Sequence, residues 1–162
     1  MRSISALRST AFIAALALSG MAFRAFDTPS PTDACSLLSS ADIDKVMGVS
    51  MGAPQAKASR ACQWRQPVKQ GDPGAIVDVT IIDANRYSLG MAVAGSPKFK
   101  ITPVAGLGDD AYYSATSDGK ITDLRVKKGS GAFAVHVWGG GVPAAQTEPK
   151  ELALAKLIVQ KF

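Results

Sequence analysis

The chain has 162 residues and a formal net charge of +5, with 18 basic and 13 acidic side chains, two cysteines and one histidine. The basic excess is small and scattered, and Lys127 and Lys128 are the only adjacent basic pair. A basic stripe with interleaved aromatic residues, which is typical of nucleic-acid binding, is missing. The composition therefore argues against nucleic acid as a partner and favours one globular domain with a real hydrophobic core.

The first 22 residues have the pattern of a secretory signal peptide. Arg2 and Arg8 precede an uncharged run over 9–23, which is shorter than the roughly 20 residues that a membrane-spanning helix needs. Gly20 and Ala22 precede the expected cleavage site, and no cysteine follows that could carry a lipid anchor. We expect cleavage after Ala22, which lowers the net charge to +3, although retention of the segment as an anchor stays an alternative. The mature chain is then extracytoplasmic, either periplasmic or secreted, with no transmembrane segment.

After a flexible tether over 23–33, a single domain is expected over 34–162, and it contains both cysteines. In an oxidising compartment two cysteines in a small domain usually form one disulfide, and Cys35 with Cys62 is the only pairing within the chain. A redox-active or metal site is the alternative, but the spacing is not CxxC and His136 is the only histidine. The sequence therefore predicts a structural disulfide.

The predicted elements, in chain order, begin with a short helix. Ser39 and Asp42 have the spacing of a capping box, and Gly48 ends the apolar stripe that follows. Residues 84–95 are ambiguous, with Asp83 as a possible helix cap, and Thr147 is the expected N-cap of a C-terminal helix. Strands are predicted in 61–66, 75–83, 111–115 and the two arms of a hairpin over 121–138. The predicted fold class is α+β, with an antiparallel sheet of about five strands and an N-terminal and a C-terminal helix packed on it.

The hairpin has a register that can be derived from its turn. Gly129 and Ser130 suit a two-residue type II′ turn, which pairs Lys128 with Gly131 and makes every later pair sum to 259. Apolar residues then share one face, and Thr122 falls opposite Val137. On the other face Asp123 meets His136, Ile121 meets Trp138, and Arg125 lies beside alanines. We predict a contact surface from the four residues Asp123, Arg125, His136 and Trp138, with the carboxylate favouring protonated His136.

The stretch GLGDDA over 106–111 fits the glycine fingerprint GxGxxA of a dinucleotide-binding turn. Its context argues against that function, because Asp109 and Asp110 would face the phosphates and a strand pattern follows instead of a helix. The preferred interpretation is a tight glycine turn that leads into an edge strand. No cofactor is expected.

Several motifs together resemble a family of small secreted or lipid-anchored bacterial envelope proteins of unknown function. These are CSLL with its capped helix, CQW, PVAGLGDDAYY, LRVKKGSGAFAVHV and a terminal helix, which together span about 34–162. The resemblance implies a compact α+β sandwich, a bridge between Cys35 and Cys62 and an extracytoplasmic location. It implies no catalytic residue, and the chain lacks the cysteine at the cleavage site that lipid-anchored members have.

The function predicted from these features is a non-enzymatic binding or envelope-interaction module. The motif HExxH is absent from the sequence, and one histidine is more often structural than catalytic. The alternatives are a small hydrolase that uses His136 with an aspartate and a serine, or a carrier of a small ligand. The expected partner is an envelope protein or a small ligand, and the oligomeric state is left open.

Overall fold

The computed structural model describes residues 31–92, 96–118, 122–140 and 144–162. The predicted signal peptide and most of the predicted tether lie outside these residues. A 3₁₀ turn over Ala34–Ser36 opens the fold. Three α-helices follow in the described residues: α1 (Ser40–Met47), α2 (Ala84–Ala92) and α3 (Ala144–Val159). The strands are β1 (Gln55–Ala58), β2 (Ala61–Arg65), β3 (Ala75–Asp83), β4 (Phe99–Pro103), β5 (Asp110–Thr116), β6 (Thr122–Lys128) and β7 (Gly131–Gly139).

The strands form one antiparallel sheet in the order β1-β2-β3-β7-β6-β5-β4. The predicted α+β class and antiparallel sheet are confirmed, but the sheet has seven described strands rather than about five. The two strands that the sequence did not indicate, β1 and β4, are the two edges. All four residues of β1 are exposed, and β4 ends at Pro103, so neither has the alternating apolar pattern of a half-buried strand.

One face of the sheet is apolar and lies under α1 and α3. Its residues alternate along the strands with the polar residues of the opposite face, as the pleat requires. Lys150 of α3 donates a hydrogen bond from Nζ to the carbonyl oxygen of Met47 at 2.7 Å, which ties α3 to the end of α1. The buried apolar residues that the sheet contributes to this core include Cys62, Trp64, Val77, Val79, Ile81, Leu124, Val126, Phe133, Val135 and Val137.

The helix ends follow local sequence rules. Ser39 and Asp42 form the predicted capping box, and Gly48 ends α1 in the left-handed region at φ 74°. Asp83 Oδ1 accepts the Arg86 N–H at 2.8 Å at the start of α2, as a cap should. The predicted start of α3 at Thr147 is wrong, because the helix begins at Ala144. The preceding Ala-Ala-Gln consists of good helix formers, and it extends the helix back by most of a turn.

The hairpin has the predicted register over five pairs, from Lys128–Gly131 to Leu124–Val135. Gly129 has φ 56°, as the first central position of a type II′ turn requires. The paired register stops at Leu124, so the predicted pairs Asp123–His136 and Thr122–Val137 are not part of it, and Ile121 lies outside the described residues. In the predicted register the Val137 N–H would donate to Thr122 across the hairpin. It donates instead to Glu151 Oε1 of α3 at 2.9 Å, so the pairing of β6 with β7 ends before this point.

The GLGDDA stretch is a glycine turn, as predicted, with positive φ at Gly106 and Gly108. Its first aspartate has a structural role, since Asp109 Oδ2 accepts the Gly129 N–H at 2.6 Å and joins this turn to the tip of the hairpin. The strand that follows, β5, is not at the edge of the sheet, because the unpredicted β4 pairs with it. The expectation of an edge strand there is therefore wrong.

A disulfide with an S–S distance of 2.02 Å joins Cys35 to Cys62, which confirms the predicted pairing. Cys35 lies in the 3₁₀ turn and Cys62 lies in β2, where it is buried in the core. The bridge thus fixes the first described element of the domain to the sheet. It is consistent with an extracytoplasmic location.

Candidate functional site

The second face of the sheet is only partly covered, and polar side chains from four neighbouring strands meet on it. The strand register places Gln63 beside Asp78 and Asp78 beside His136, while Asp123 lies on the same face of β6 as Arg125. We call this surface the open face and define it by its polar and aromatic members, which are Gln63, Arg65, Asp78, Asp123, Arg125, His136 and Trp138.

Asp78 is the centre of a hydrogen-bond network on the open face. Its Oδ1 accepts from Gln63 Nε2 at 2.7 Å, and its Oδ2 accepts from Trp138 Nε1 at 2.7 Å. Gln63 in turn accepts from Arg65 Nε through Oε1 at 2.6 Å. Because both carboxylate oxygens of Asp78 have donors, the Trp138 indole is held in one orientation. Its ring is nevertheless 41 % exposed.

His136 lies between this network and the ion pair that Arg125 forms with Asp123. Its ring stacks on Trp138 with a centroid distance of 6.2 Å and an interplanar angle of 24°. Burial lowers the pKa of His136, and the nearby Asp123 and Asp78 carboxylates oppose this effect without cancelling it. The Asp123 carboxylate favours protonated His136, as expected, but the loss of solvent outweighs this attraction and the pKa is lowered overall.

The ion pair beside His136 joins Arg125 to Asp123, which are two residues apart on β6. Arg125 Nε donates to Asp123 Oδ2 at 2.6 Å. Burial lowers the pKa of Arg125, but the hydrogen bond and charge of Asp123 raise it by more, so the guanidinium is firmly cationic. Arg125 is flanked across the sheet by Ala134 and Tyr112, and the small alanine leaves space above the sheet next to the guanidinium.

Helix α2 covers one end of the open face through a small second core, which consists of Ile82, Tyr87, Tyr112 and Ala132. Tyr112 Oη donates to the carbonyl oxygen of Tyr87 at 3.0 Å, which anchors the helix on the sheet. The space between α2 and the strands is a groove of about 490 Å³. We call it the α2 groove; its lining consists of Thr80, Ile82, Arg86, Leu89, Gly90, Phe99, Arg125 and Ala134.

A second depression, of about 520 Å³, lies at the other end of the open face beside Trp138. It is formed by the connection between β2 and β3, by the start of β3 and by the end of β7. Val68 in that connection is 44 % exposed, so an aliphatic and an aromatic side chain both border this space. The open face therefore has a depression at each end, with the Asp78 network between them.

All four predicted contact residues, Asp123, Arg125, His136 and Trp138, lie on the open face. The residues that sequence reasoning missed are Gln63, Arg65 and Asp78, which come from β2 and β3. The alternation of Asp78 with apolar neighbours placed it on the polar side of β3, but only the pairing of β3 with β7 brings it beside His136 and Trp138.

No known protein family, curated protein or solved structure matches the chain. In the described parts of the chain, no three His, Cys, Asp or Glu side chains are grouped so that they could hold a metal ion. None of the helices described is long and apolar enough to cross a membrane. The geometry of the open face is therefore the basis for the functional argument.

The two carboxylates near His136 lead to a testable prediction. Because Asp123 raises the pKa of His136 against the effect of burial, we expect Asp123→Asn to lower that pKa further. A titration of the His136 ring protons by NMR measures the change directly. Asp72→Asn, in the β2–β3 connection, is the control and should leave the titration where it is. An unchanged His136 titration in Asp123→Asn would contradict the placement of these two side chains on one face.

Proposed function

We propose that this chain is a non-enzymatic binding module of the bacterial cell envelope, periplasmic or secreted, and that the open face is its contact surface. The resemblance of its motifs to small envelope proteins and its signal-peptide pattern support the location, and the disulfide is consistent with it. The binding role rests on the geometry of the sheet.

The observation that supports the binding role best is the exposure of Trp138. Large apolar side chains on the opposite face of β7 are fully buried, whereas this indole is 41 % exposed and is oriented by its hydrogen bond to Asp78. An aromatic ring held in place loses little conformational freedom when it binds, and tryptophan is enriched among the residues that dominate interfaces. The surrounding Arg65 and His136 supply a polar rim of the usual kind.

A hydrolase would need a nucleophile beside His136. In the described residues the ring of His136 contacts Trp138, and no hydroxyl group forms a hydrogen bond with it. A triad requires such a contact between nucleophile and base, so the geometry favours the binding role over this alternative. Carriage of a small ligand is the second candidate function, and the α2 groove is the observation that favours it.

The binding role can be tested by native mass spectrometry of the protein purified from the envelope or culture medium of its own host. We expect a retained partner or small molecule on the wild-type protein and an occupancy at least tenfold lower on Trp138→Ala, because truncating a central aromatic residue typically costs more than 1 to 2 kcal/mol of binding energy. Val49→Ala is the control, since Val49 is exposed to a similar extent, 38 %, in the loop after α1. A bare wild-type mass, or equal occupancy in both variants, would count against the open face as the contact surface.

A further inference from the structure

The α2 groove combines a polar floor with an apolar wall. Thr80, Ala134 and Arg125 are paired in register across β3, β7 and β6, and they form the floor. Leu89 of α2 and Phe99 of β4 border the groove, and their exposed fractions are 67 % and 40 %. Two large apolar side chains from separate elements are thus exposed at one groove of about 490 Å³, a size typical of small-molecule sites.

The charge of the groove has one sign. Arg86 and Arg125 both line it, and no carboxylate does. The Nε of Arg125 already donates a hydrogen bond to Asp123. Arg86 has no acidic partner within ion-pair distance among the residues described. A guanidinium group offers five N–H donors in a planar fork, which matches the geometry of a carboxylate or a phosphate. The groove is therefore electrostatically complementary to an oxyanion.

Gly90 explains how the helix comes close enough to form the groove. A Cβ atom at this position would clash with Tyr112 Oη and Arg125 Nη1, so glycine lets the backbone of α2 rest on these two groups. The same close approach places the Arg125 guanidinium at the base of the helix. Arg125 is thereby presented as a rigid feature of the groove rather than as a mobile surface side chain.

We propose that the α2 groove binds one single-chain amphiphilic oxyanion, with its carboxylate or phosphate on Arg86 and Arg125 and its hydrocarbon chain on Leu89 and Phe99. This inference rests on the proposed binding function, because it names the ligand class that the open face would take. The groove is bounded by a helix on one side and a sheet below, so it suits a single small molecule and not the flat surface of a bilayer. Guanidinium groups bind carboxylates and phosphates alike, so both head groups belong to the proposed class.

Isothermal titration calorimetry of the mature chain with decanoate and decyl phosphate, each below its micelle-forming concentration, tests the proposal. Acetate and inorganic phosphate lack the chain, and decanol lacks the charge, so each should bind at least tenfold more weakly than the amphiphiles. Arg86→Gln and Leu89→Ser should each weaken amphiphile binding at least tenfold. Arg60→Gln and Val49→Ser are the matched controls, because both are exposed positions that line neither depression of the open face, and they should leave the affinity unchanged.

Gly90→Ala is a further variant that removes neither charge nor apolar surface. It should weaken binding by displacing α2 or Arg125, while a melting curve shows that the domain still folds. If Gly90→Ala fails to fold, Arg86→Gln still decides the question, because Arg86 has no structural ion pair to lose.

Three results would overturn the proposal. The first is equal affinity for decanol and decanoate, which would show that the arginines do not contribute to binding. The second is binding to anionic phospholipid vesicles without binding to either monomeric amphiphile, which would indicate a membrane surface instead. The third is no binding of any of these probes. Trp138 lies at the other end of the open face, so none of these outcomes affects the test with Trp138→Ala. The failure of this inference and the failure of the proposed function are therefore distinguishable.

Discussion

Replacing Cys35 and Cys62 together by alanine should lower the free energy of unfolding by about 3 to 4 kcal/mol, because the disulfide closes a loop of about 28 residues and restricts the unfolded chain. The bridge spans a sequence separation of 27 residues and joins the 3₁₀ turn to β2. Net stabilities of domains of this size are about 5 to 15 kcal/mol, so this loss is a large share of the total. Urea unfolding, followed by the fluorescence of the buried Trp64, measures it.

Reductant separates the effect of the bridge from that of the substitutions. The wild-type protein should lose a comparable amount of stability when it is reduced, whereas the double variant should be insensitive to the same treatment. Because Cys62 is buried, a small additional loss from the missing sulfur atom is expected only in the variant. A wild-type midpoint that does not move on reduction would show that the bridge contributes nothing to stability.

Features encoded by local rules could be predicted from the sequence. The capping box of Ser39 with Asp42 and the left-handed Gly48 define α1, since each depends on residues within one or two turns of the helix. The turn at Gly129 and Ser130 sets the hairpin register, because a two-residue loop allows one pairing. Both predictions depend only on contacts between residues close in sequence.

Features that depend on distant partners could not be predicted in the same way. The edge strands β1 and β4 have no clear alternating pattern, and they exist because β2 and β5 offer them unpaired backbone groups. The neighbourhood of β3 and β7 joins segments more than 45 residues apart, with Asp78 opposite His136, and this pairing completes the network around Trp138. The α2 groove likewise depends on where α2 is docked, which the sequence of α2 alone does not state.

The most deeply buried charge-bearing group of the described residues is also one that sequence patterns did not single out. Glu151 of α3 is fully buried, and it falls on the helix face of Leu154, Ala155 and Ile158. Its Oε1 accepts the Val137 N–H, whereas its Oε2 has no hydrogen-bond partner in the described structure. Burial raises the pKa of Glu151 to about 8, against the hydrogen bond from Val137 and with help from the charges of Asp123 and Glu148.

Glu151→Gln should therefore remove a pH dependence of stability on the order of 5 kcal/mol. The folded state keeps the Glu151 proton up to about pH 8, whereas the unfolded state releases it near pH 4.5. Between these two pH values the folded wild type binds more protons than the unfolded chain, so its stability falls as the pH rises. Urea unfolding at several pH values between 4.5 and 9 should show this slope in the wild type and a much flatter curve in Glu151→Gln. Glu148→Gln, at an exposed position one turn earlier on α3, is the matched control and should keep most of the slope. If Glu151→Gln kept the full slope, the buried carboxyl group would not be the source of the pH dependence. The end of the β6–β7 pairing at Leu124 could then no longer be attributed to an uncharged Glu151.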